Sequence, residues 1–69
     1  MPVLNRIKEI RTNRGITQVQ MAMDLQITRQ TITAIENNKY NPSLELALKL
    51  VNYFQVSIDE IFELKEADK

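Results

Sequence analysis

The chain has 69 residues, enough for a single domain that takes up residues 1–69. It contains no Cys, no His and only one Gly. Zinc sites built on Cys or His, Ser-His or Cys-His catalytic pairs and Gly-rich phosphate loops are therefore excluded within it. No apolar run approaches the roughly 18 residues that span a membrane. We expect a cytoplasmic domain that is not an enzyme and has no metal, no cofactor, no small-molecule ligand and no membrane segment.

The charges are unevenly distributed, although the formal net charge is zero. Residues 1–41 carry six Lys and Arg against three Asp and Glu, whereas residues 42–69 carry three against six. A molecule with a basic half can orient that half towards a polyanion such as nucleic acid. A mixed, solvated surface without a ligand is the alternative, and the asymmetry alone does not exclude it.

Apolar residues recur at helical spacing from the start of the chain. Val3, Leu4, Ile7 and Ile10 lie on one stripe, which predicts a first helix over about residues 3–14. Gly15 follows at the position where a left-handed residue commonly ends a helix.

Two short helices separated by about three residues form the centre of the sequence. Thr17 is a good N-cap with Gln20 three residues on, as in a capping box, and it predicts a helix over Gln18–Leu25. Thr28 is a second N-cap, before a helix over residues 29–37. This spacing is typical of a helix-turn-helix, whose second helix can enter the major groove of DNA. An ordinary helical hairpin without a ligand is the alternative.

Two further helices and a tail complete the prediction. Ser43 can cap a helix over Leu44–Phe54, which is apolar most of the way round and is therefore expected to be buried in the domain centre. Ser57 and Glu60 form a capping-box pattern for a short last helix over residues 58–62. Residues 63–69 are expected to be frayed, or extended in their first few positions.

The segment TQVQMAMDLQITRQTITAIENNKYNPSLELALKLVNYFQVSIDEIF resembles the helix-turn-helix domain of the phage Cro and C1-type repressors, also called the XRE family. The resemblance covers about residues 4–62, and TRQTITAIENNKYNPS is its most specific part. It implies an all-α, five-helix bundle of the lambda-repressor-like DNA-binding type, in agreement with the helix count. It also implies a sequence-specific DNA-binding transcriptional regulator, and the expected kind of regulator is a repressor.

The resemblance assigns roles to residues on and around the second motif helix, the recognition helix. The expected base contacts come from Arg29, Gln30, Thr33 and Ala34. The expected phosphate contacts come from Gln18, Thr28, Asn37, Lys39 and Tyr40. The chemistry suits these roles, because Arg can fork onto guanine O6 and N7, and Gln can pair with adenine N6 and N7.

Three further details follow from the resemblance. Gln26 in the motif turn and Asn38 after the recognition helix stand where the family commonly has Gly. Asn tolerates left-handed geometry fairly well, whereas Gln does so at a cost of order 1–2 kcal/mol. The family also implies an ion pair between Glu36 and Arg11, with two unrelated surface charges as the alternative.

A homodimer on a palindromic operator is expected, because one recognition helix reads too few base pairs to find one site in a genome. The candidate dimer residues lie in the acidic half and are Tyr53, Ile58, Ile61, Phe62 and Leu64. Alternatively, these side chains only close the core of a monomer. The alternative function is a protein-interaction module, such as the antitoxin subunit of a toxin–antitoxin pair, although no toxin-wrapping tail is recognisable after Phe62.

Overall fold

The computed structural model describes residues 3–39 and 41–65, which form five helices and one two-stranded sheet. The elements in chain order are β1 (Val3–Asn5), α1 (Ile7–Asn13), α2 (Gln18–Leu25), α3 (Arg29–Glu36), α4 (Leu44–Phe54), α5 (Ile58–Ile61) and β2 (Phe62–Leu64). The predicted bounds of α2 and α4 are confirmed. Helix α3 ends one residue before the prediction, and α5 does so because Phe62 begins β2. The helical prediction is thus confirmed in part, since the fold is not strictly all-α.

The prediction of a first helix from residue 3 is wrong, since residues 3–5 form a strand. Strand β1 pairs antiparallel with β2, and Val3 lies opposite Leu64. The Asn5 side chain accepts a hydrogen bond from the backbone N–H of Ile7 at 3.2 Å, so α1 begins only after the strand. Val3 and Leu4 fit the spacing of either element, and the partner strand at the other end of the described chain decides between them.

Each of the first four helices is followed within two residues by a residue with left-handed backbone. These residues are Gly15, Gln26, Asn38 and Gln55, with φ angles of 70°, 60°, 59° and 58°. After each of them, the next residue donates its N–H to the carbonyl five positions back, at 2.8–3.3 Å. This bond is the signature of the Schellman motif. The left-handed conformations predicted at Gly15, Gln26 and Asn38 are confirmed, and that of Gln55 was not foreseen.

The predicted N-caps hold the starts of the middle helices. Thr17, Thr28 and Ser43 each accept a hydrogen bond from the backbone N–H three residues on, at 3.0–3.1 Å. The capping box at Thr17 is only half formed, because the Gln20 side chain donates instead to Asp24 at 2.8 Å. The capping box predicted at the start of α5 is present.

One hydrophobic core joins all five helices. Its members are Ile7, Met21, Ala22, Leu25, Ile32, Ile35, Leu46, Leu50, Phe54 and Ile61. Helix α4 contributes one face only, and its Leu44 and Leu48 are 73% and 55% exposed. The expectation that α4 is buried most of the way round is therefore wrong. A chain of this size has too few other elements to cover a central helix on every side.

Candidate nucleic-acid interface

Helices α2 and α3 pack against each other across a short turn. Gln26 ends α2 in the left-handed conformation, and Ile27 donates its N–H to the Ala22 carbonyl at 3.0 Å. Ile27 is half-buried against the core, which directs the chain back towards the protein. Thr28 then caps α3. The turn and the two caps fix where α3 starts relative to α2, as a helix-turn-helix requires.

The outer face of α3 is polar and accessible. Arg29, Gln30 and Thr33 are exposed, whereas Ile32 and Ile35 on the opposite face are buried. The Thr33 hydroxyl donates to the Arg29 carbonyl at 3.1 Å, which leaves its lone pairs and its methyl group available. Guanidinium, amide, hydroxyl and methyl groups at helical spacing are the groups that read base edges in a major groove. Of the predicted base contacts, Ala34 alone is half-buried.

The side chains predicted to contact phosphate lie around this face and differ in their exposure and hydrogen bonding. Asn37, the C-cap of α3, and Lys39 are exposed. The Thr28 hydroxyl already accepts from the Thr31 backbone as the cap of α3. Gln18 is half-buried and bonded within the protein. Tyr40, the remaining predicted contact, lies outside the described residues.

Lys39 has a special position at the end of α3. In the Schellman motifs that end α1, α2 and α4, the residue after the left-handed one is Ile16, Ile27 or Val56, and each packs on the core. At the end of α3 the same position holds Lys39, whose N–H bonds the Ala34 carbonyl at 2.8 Å. The motif therefore holds the backbone of an exposed cation beside the end of α3.

The predicted ion pair between Arg11 and Glu36 is confirmed. Nε of Arg11 lies 2.7 Å from the Glu36 carboxylate, and the two side chains are only 9% and 3% exposed. A terminal nitrogen of Arg11 also donates to the Ile16 carbonyl at 2.9 Å. The pair therefore ties α1 and the loop before α2 to the last turn of α3. Removing one partner of such a pair typically costs 3–5 kcal/mol, because the other charge stays buried.

Asn5 is a further structural residue of this region, which the sequence analysis missed. Its side-chain nitrogen donates to the Ile35 carbonyl at 2.8 Å and to the Asn38 side chain at 3.2 Å. It thereby adds a second donor to the Ile35 carbonyl, which also accepts the Asn38 N–H at 3.0 Å, and ties the residues before α1 to the last turn of α3. Its position two residues before Ile7 was a usable signal, since Asn side chains commonly bond backbone N–H groups at the starts of helices.

The basic half of the sequence does not form one basic surface. Arg6 pairs with Glu63 of β2 at 2.8 Å, and the Arg14 guanidinium lies 5.5 Å from the centre of the Phe54 ring. Both arginines line a hollow beside acidic residues of α5. Arg29 and Lys39 remain as the exposed cations on or next to α3. The exposed positive charge on and next to α3 is therefore smaller than the charge count of residues 1–41 indicated.

Within residues 3–39 and 41–65, no cluster of three acidic side chains could hold a metal ion. None of the helices in these ranges is long and apolar enough to cross a membrane.

The family model for the helix-turn-helix, HTH_3, matches residues 7–61, so the chain belongs to the helix-turn-helix family. An uncharacterized HTH-type transcriptional regulator of Methanocaldococcus jannaschii is 47% identical over 58 residues, which are 84% of this chain and 88% of the relative. The HTH-type regulator YgzD of Bacillus subtilis is 40% identical over 62 residues, covering 90% and 94% of the two chains. The immunity repressor protein of Bacillus phage phi105 is 48% identical over 44 residues, 64% of this chain and 31% of the repressor.

A crystal structure from Bacteroides fragilis has the same fold. Its protein is provisionally described as DNA-binding, and it aligns with a TM-score of 0.79 and 26% identity over 88% of this chain and 98% of its own. The expectation of a DNA-binding transcriptional regulator of the Cro and C1-type is thus confirmed. The alternative of a protein-interaction module is not favoured.

Proposed function

We propose that the protein is a transcriptional repressor that binds a palindromic operator as a homodimer and reads bases with the outer face of α3. The observation that carries the proposal is the division of α3 into two faces. Arg29, Gln30 and Thr33 are exposed on one face, and Ile32 and Ile35 anchor the other in the core. The role requires binding groups only, and no catalytic group.

The chemistry of the outer face supports a division of labour. Arg29 can fork onto guanine, Gln30 can pair with adenine, and the methyl groups of Thr33 and Ala34 suit the methyl group of thymine. Asn37 and Lys39, just beyond the last turn of α3, suit the phosphate backbone. Thr28 can add a phosphate contact by donating its hydroxyl hydrogen, because the cap uses only a lone pair of the Thr28 oxygen.

The test of base reading compares two single substitutions. Gln30→Ala should cost about 1–3 kcal/mol on an operator selected from random duplexes and should relax the preference at one base pair. Lys39→Ala is the matched control, because a lost phosphate contact weakens binding to all sequences about equally. Competition binding with a set of single-base operator variants measures both effects. Unchanged affinity and preference in Gln30→Ala would exclude α3 as the reading helix.

We propose a homodimer because helix α3 is too short to read a whole operator alone. Helix α3 has eight residues and can contact only a few base pairs, whereas two copies on a symmetric site double the sequence that is read. An apolar groove lies at the C-terminal half of the domain, and we name it the C-terminal groove. Its lining includes Val3, Pro42, Leu44, Ile58, Phe62 and Leu64. We propose a second copy of the chain as its occupant, because the groove is apolar and Leu44, Ile58 and Leu64 in its lining are exposed in the single chain.

The structure divides the predicted dimer residues. Ile58 and Leu64 are 47% and 63% exposed, and Phe62 is half-buried beside them in the groove. Ile61 is 0% exposed and belongs to the core of this chain, so its assignment to a dimer surface is wrong. Tyr53 is half-buried on another side, where its hydroxyl donates to Asp24 of α2.

The dimer is tested by a pair of substitutions on one helix. Leu44→Glu places a charge in the C-terminal groove, whereas Leu48→Glu places it on α4 outside the groove, at a comparably exposed site. Sedimentation equilibrium should show at least a tenfold weaker dimer for Leu44→Glu and no change for Leu48→Glu, since burying an unpaired charge is costly. A wild-type chain that stays monomeric on DNA and protects a single half-site would exclude the dimer.

Repression is the simpler mode of regulation for such a molecule. A dimer bound within a promoter blocks polymerase by occupying the DNA, whereas activation needs an additional contact with polymerase. Transcription in vitro from a promoter that overlaps the selected operator distinguishes the two modes. Repression predicts a fall in transcript as the protein saturates its site.

A further inference from the structure

The side-chain amide of Asn5 is fixed in one orientation by backbone groups on both sides. Its oxygen accepts the N–H of Ile7 at 3.2 Å, and its nitrogen donates to the Ile35 carbonyl at 2.8 Å. A backbone N–H only donates and a backbone carbonyl only accepts, so the two ends of the amide cannot exchange places. The second N–H of the same nitrogen donates to the side-chain oxygen of Asn38 at 3.2 Å.

The bond from Asn5 in turn orients the amide of Asn38, which is exposed just beyond the end of α3. Because the Asn38 oxygen accepts from Asn5, the NH₂ group of Asn38 lies on the other arm of the amide and is turned away from that contact. No residue in the ranges 3–39 and 41–65 accepts a hydrogen bond from this group. Asn38 therefore presents two N–H donors at the surface.

From this arrangement we infer that Asn38 is a further phosphate-contacting residue of the interface, and that Asn5 is its positioning residue. The inference rests on the proposed function, because it requires the end of α3 to lie against the DNA backbone. Asn38 stands between Asn37 and Lys39, the two exposed residues for which phosphate contacts are proposed. The resemblance assigned Asn38 only a left-handed backbone and no contact.

The chemistry of the amide suits this role. A phosphate oxygen of DNA accepts hydrogen bonds, so an amide can bind it only through its N–H groups. The bond from Asn5 removes the orientations in which the Asn38 oxygen would face a phosphate, and this lowers the entropy lost on binding. Gly would adopt the φ angle of 59° at this position more readily, but it has no side chain to donate. Asn tolerates the left-handed backbone and adds the donors.

Two substitutions at position 38 test the contact. Asn38→Gly removes the amide and keeps a left-handed turn. Asn38→Asp keeps an oxygen that can accept from Asn5, and it replaces the donors by a negative charge. The matched control for charge is Asn52→Asp, at an exposed position near the end of α4. Thermal melts first establish that each variant is folded.

A phosphate contact predicts weaker binding to every sequence. On the selected operator and on an unrelated duplex, Asn38→Gly should lower affinity at least about threefold. Asn38→Asp should lower it further, and by more than Asn52→Asp, because its charge lies against a phosphate. Wild-type affinity in Asn38→Gly, or equal losses in Asn38→Asp and Asn52→Asp, would overturn the inference.

Salt dependence separates a direct contact of Asn38 from an indirect effect on Lys39. A neutral amide displaces no counterion, whereas a lysine on a phosphate does. Asn38→Gly should therefore leave the slope of log affinity against log salt unchanged, whereas Lys39→Ala should reduce it by about one. The loss in Asn38→Gly should also persist in a Lys39→Ala background. A reduced slope in Asn38→Gly, with no further loss in that background, would overturn the direct contact.

The positioning role of Asn5 is tested by a double-mutant cycle and by a measurement without DNA. Asn5→Ala should weaken DNA binding in the wild type and less so in Asn38→Gly, whereas a purely structural role would weaken both equally. In ¹⁵N–¹H spectra of the free protein, both side-chain N–H signals of Asn5 should exchange slowly with solvent, and one should exchange faster in Asn38→Gly. Unchanged exchange in Asn38→Gly, or equal losses in the cycle, would overturn the positioning role.

The failure of this inference and that of the proposed function are distinguishable, because a phosphate contact does not depend on sequence. Failure to select any preferred duplex would refute base reading by α3. Weaker binding of Asn38→Gly to every duplex would support the inference in that case as well.

Discussion

The left-handed helix ends make a quantitative prediction about stability. Gln26 and Gln55 have φ angles of 60° and 58°, and both are exposed. This conformation destabilises a residue with a Cβ atom by about 1–2 kcal/mol, whereas Gly adopts it without that cost. Gly loses more backbone entropy on folding, by roughly 0.5–1 kcal/mol. Gln26→Gly should therefore raise the free energy of unfolding by roughly 1 kcal/mol, and Gln55→Gly should raise it by less, because the Gln55 side chain donates to the Asn52 carbonyl at 2.7 Å.

The assay is denaturant unfolding of the single and double variants, with circular dichroism as the readout. In a domain of this size, roughly 1 kcal/mol corresponds to about 4–8 °C in melting temperature. The two sites lie in different turns, so their effects should add. Gln20→Gly is the matched control within α2, and it should lower stability by about 0.5–1 kcal/mol, because Gly is unfavourable inside a helix.

Two results would refute the reasoning about these turns. One is a loss of stability in Gln26→Gly or Gln55→Gly with an unchanged denaturant slope, which would show that the side chain contributes more than its left-handed backbone costs. The other is a rise in the free energy of unfolding in Gln20→Gly as well as in the turn variants. That result would mean that the gain in the turn variants does not come from relief of the left-handed backbone, because Gln20 lies inside α2.

Two further predictions concern contacts between helices. Glu36→Ala should lower the free energy of unfolding by about 3–5 kcal/mol, because it leaves Arg11 charged and buried; thermal melts measure it, and a loss below about 1 kcal/mol would contradict the buried pair. Burial of the Tyr53 phenol, its hydrogen bond to Asp24 and the charge of Asp24 raise the pKa of Tyr53 from 10.0 to about 12. The stabilisation by the protonated phenol should therefore be complete below about pH 10 and be lost as the pH rises through about 12. Tyr53→Phe should be less stable at pH 7 by about 1 kcal/mol and lose less stability over that alkaline range, as melts at a series of pH values can show.

Much of the helical architecture could be predicted because its causes are local. Thr17, Thr28 and Ser43 act as caps through bonds to backbone only three residues away. The bounds of α2 and α4 follow from those caps together with the apolar spacing. Gln26 and Asn38 could be recognised as left-handed from the family's preference for Gly there. Gln55 had no such precedent, and its conformation was missed.

The candidate interface was predictable in outline for a similar reason. The outward positions of a helix follow from its buried positions, so Ile32 and Ile35 place Arg29, Gln30 and Thr33 on the opposite face. The hydrogen bonds that the side chains around this face form within the protein were not predictable. The engagement of Gln18 depends on Glu36, a residue of another helix, and no spacing within α2 reports it.

The sequence by itself determined the family, the number of helices and the face of α3 that meets solvent, because each depends on short-range patterns. The tertiary structure alone decided the features that join distant parts of the chain. Strand β1 exists because β2 supplies its hydrogen-bond partners, and Ile61 is buried while Ile58 and Leu64 are exposed because of the packing of the last helix and β2. Arg6 pairs with Glu63 rather than facing DNA for the same reason. Apolar spacing and charge counts show which residues can form contacts. Which of them pair across long stretches of the chain is decided only when the core packs.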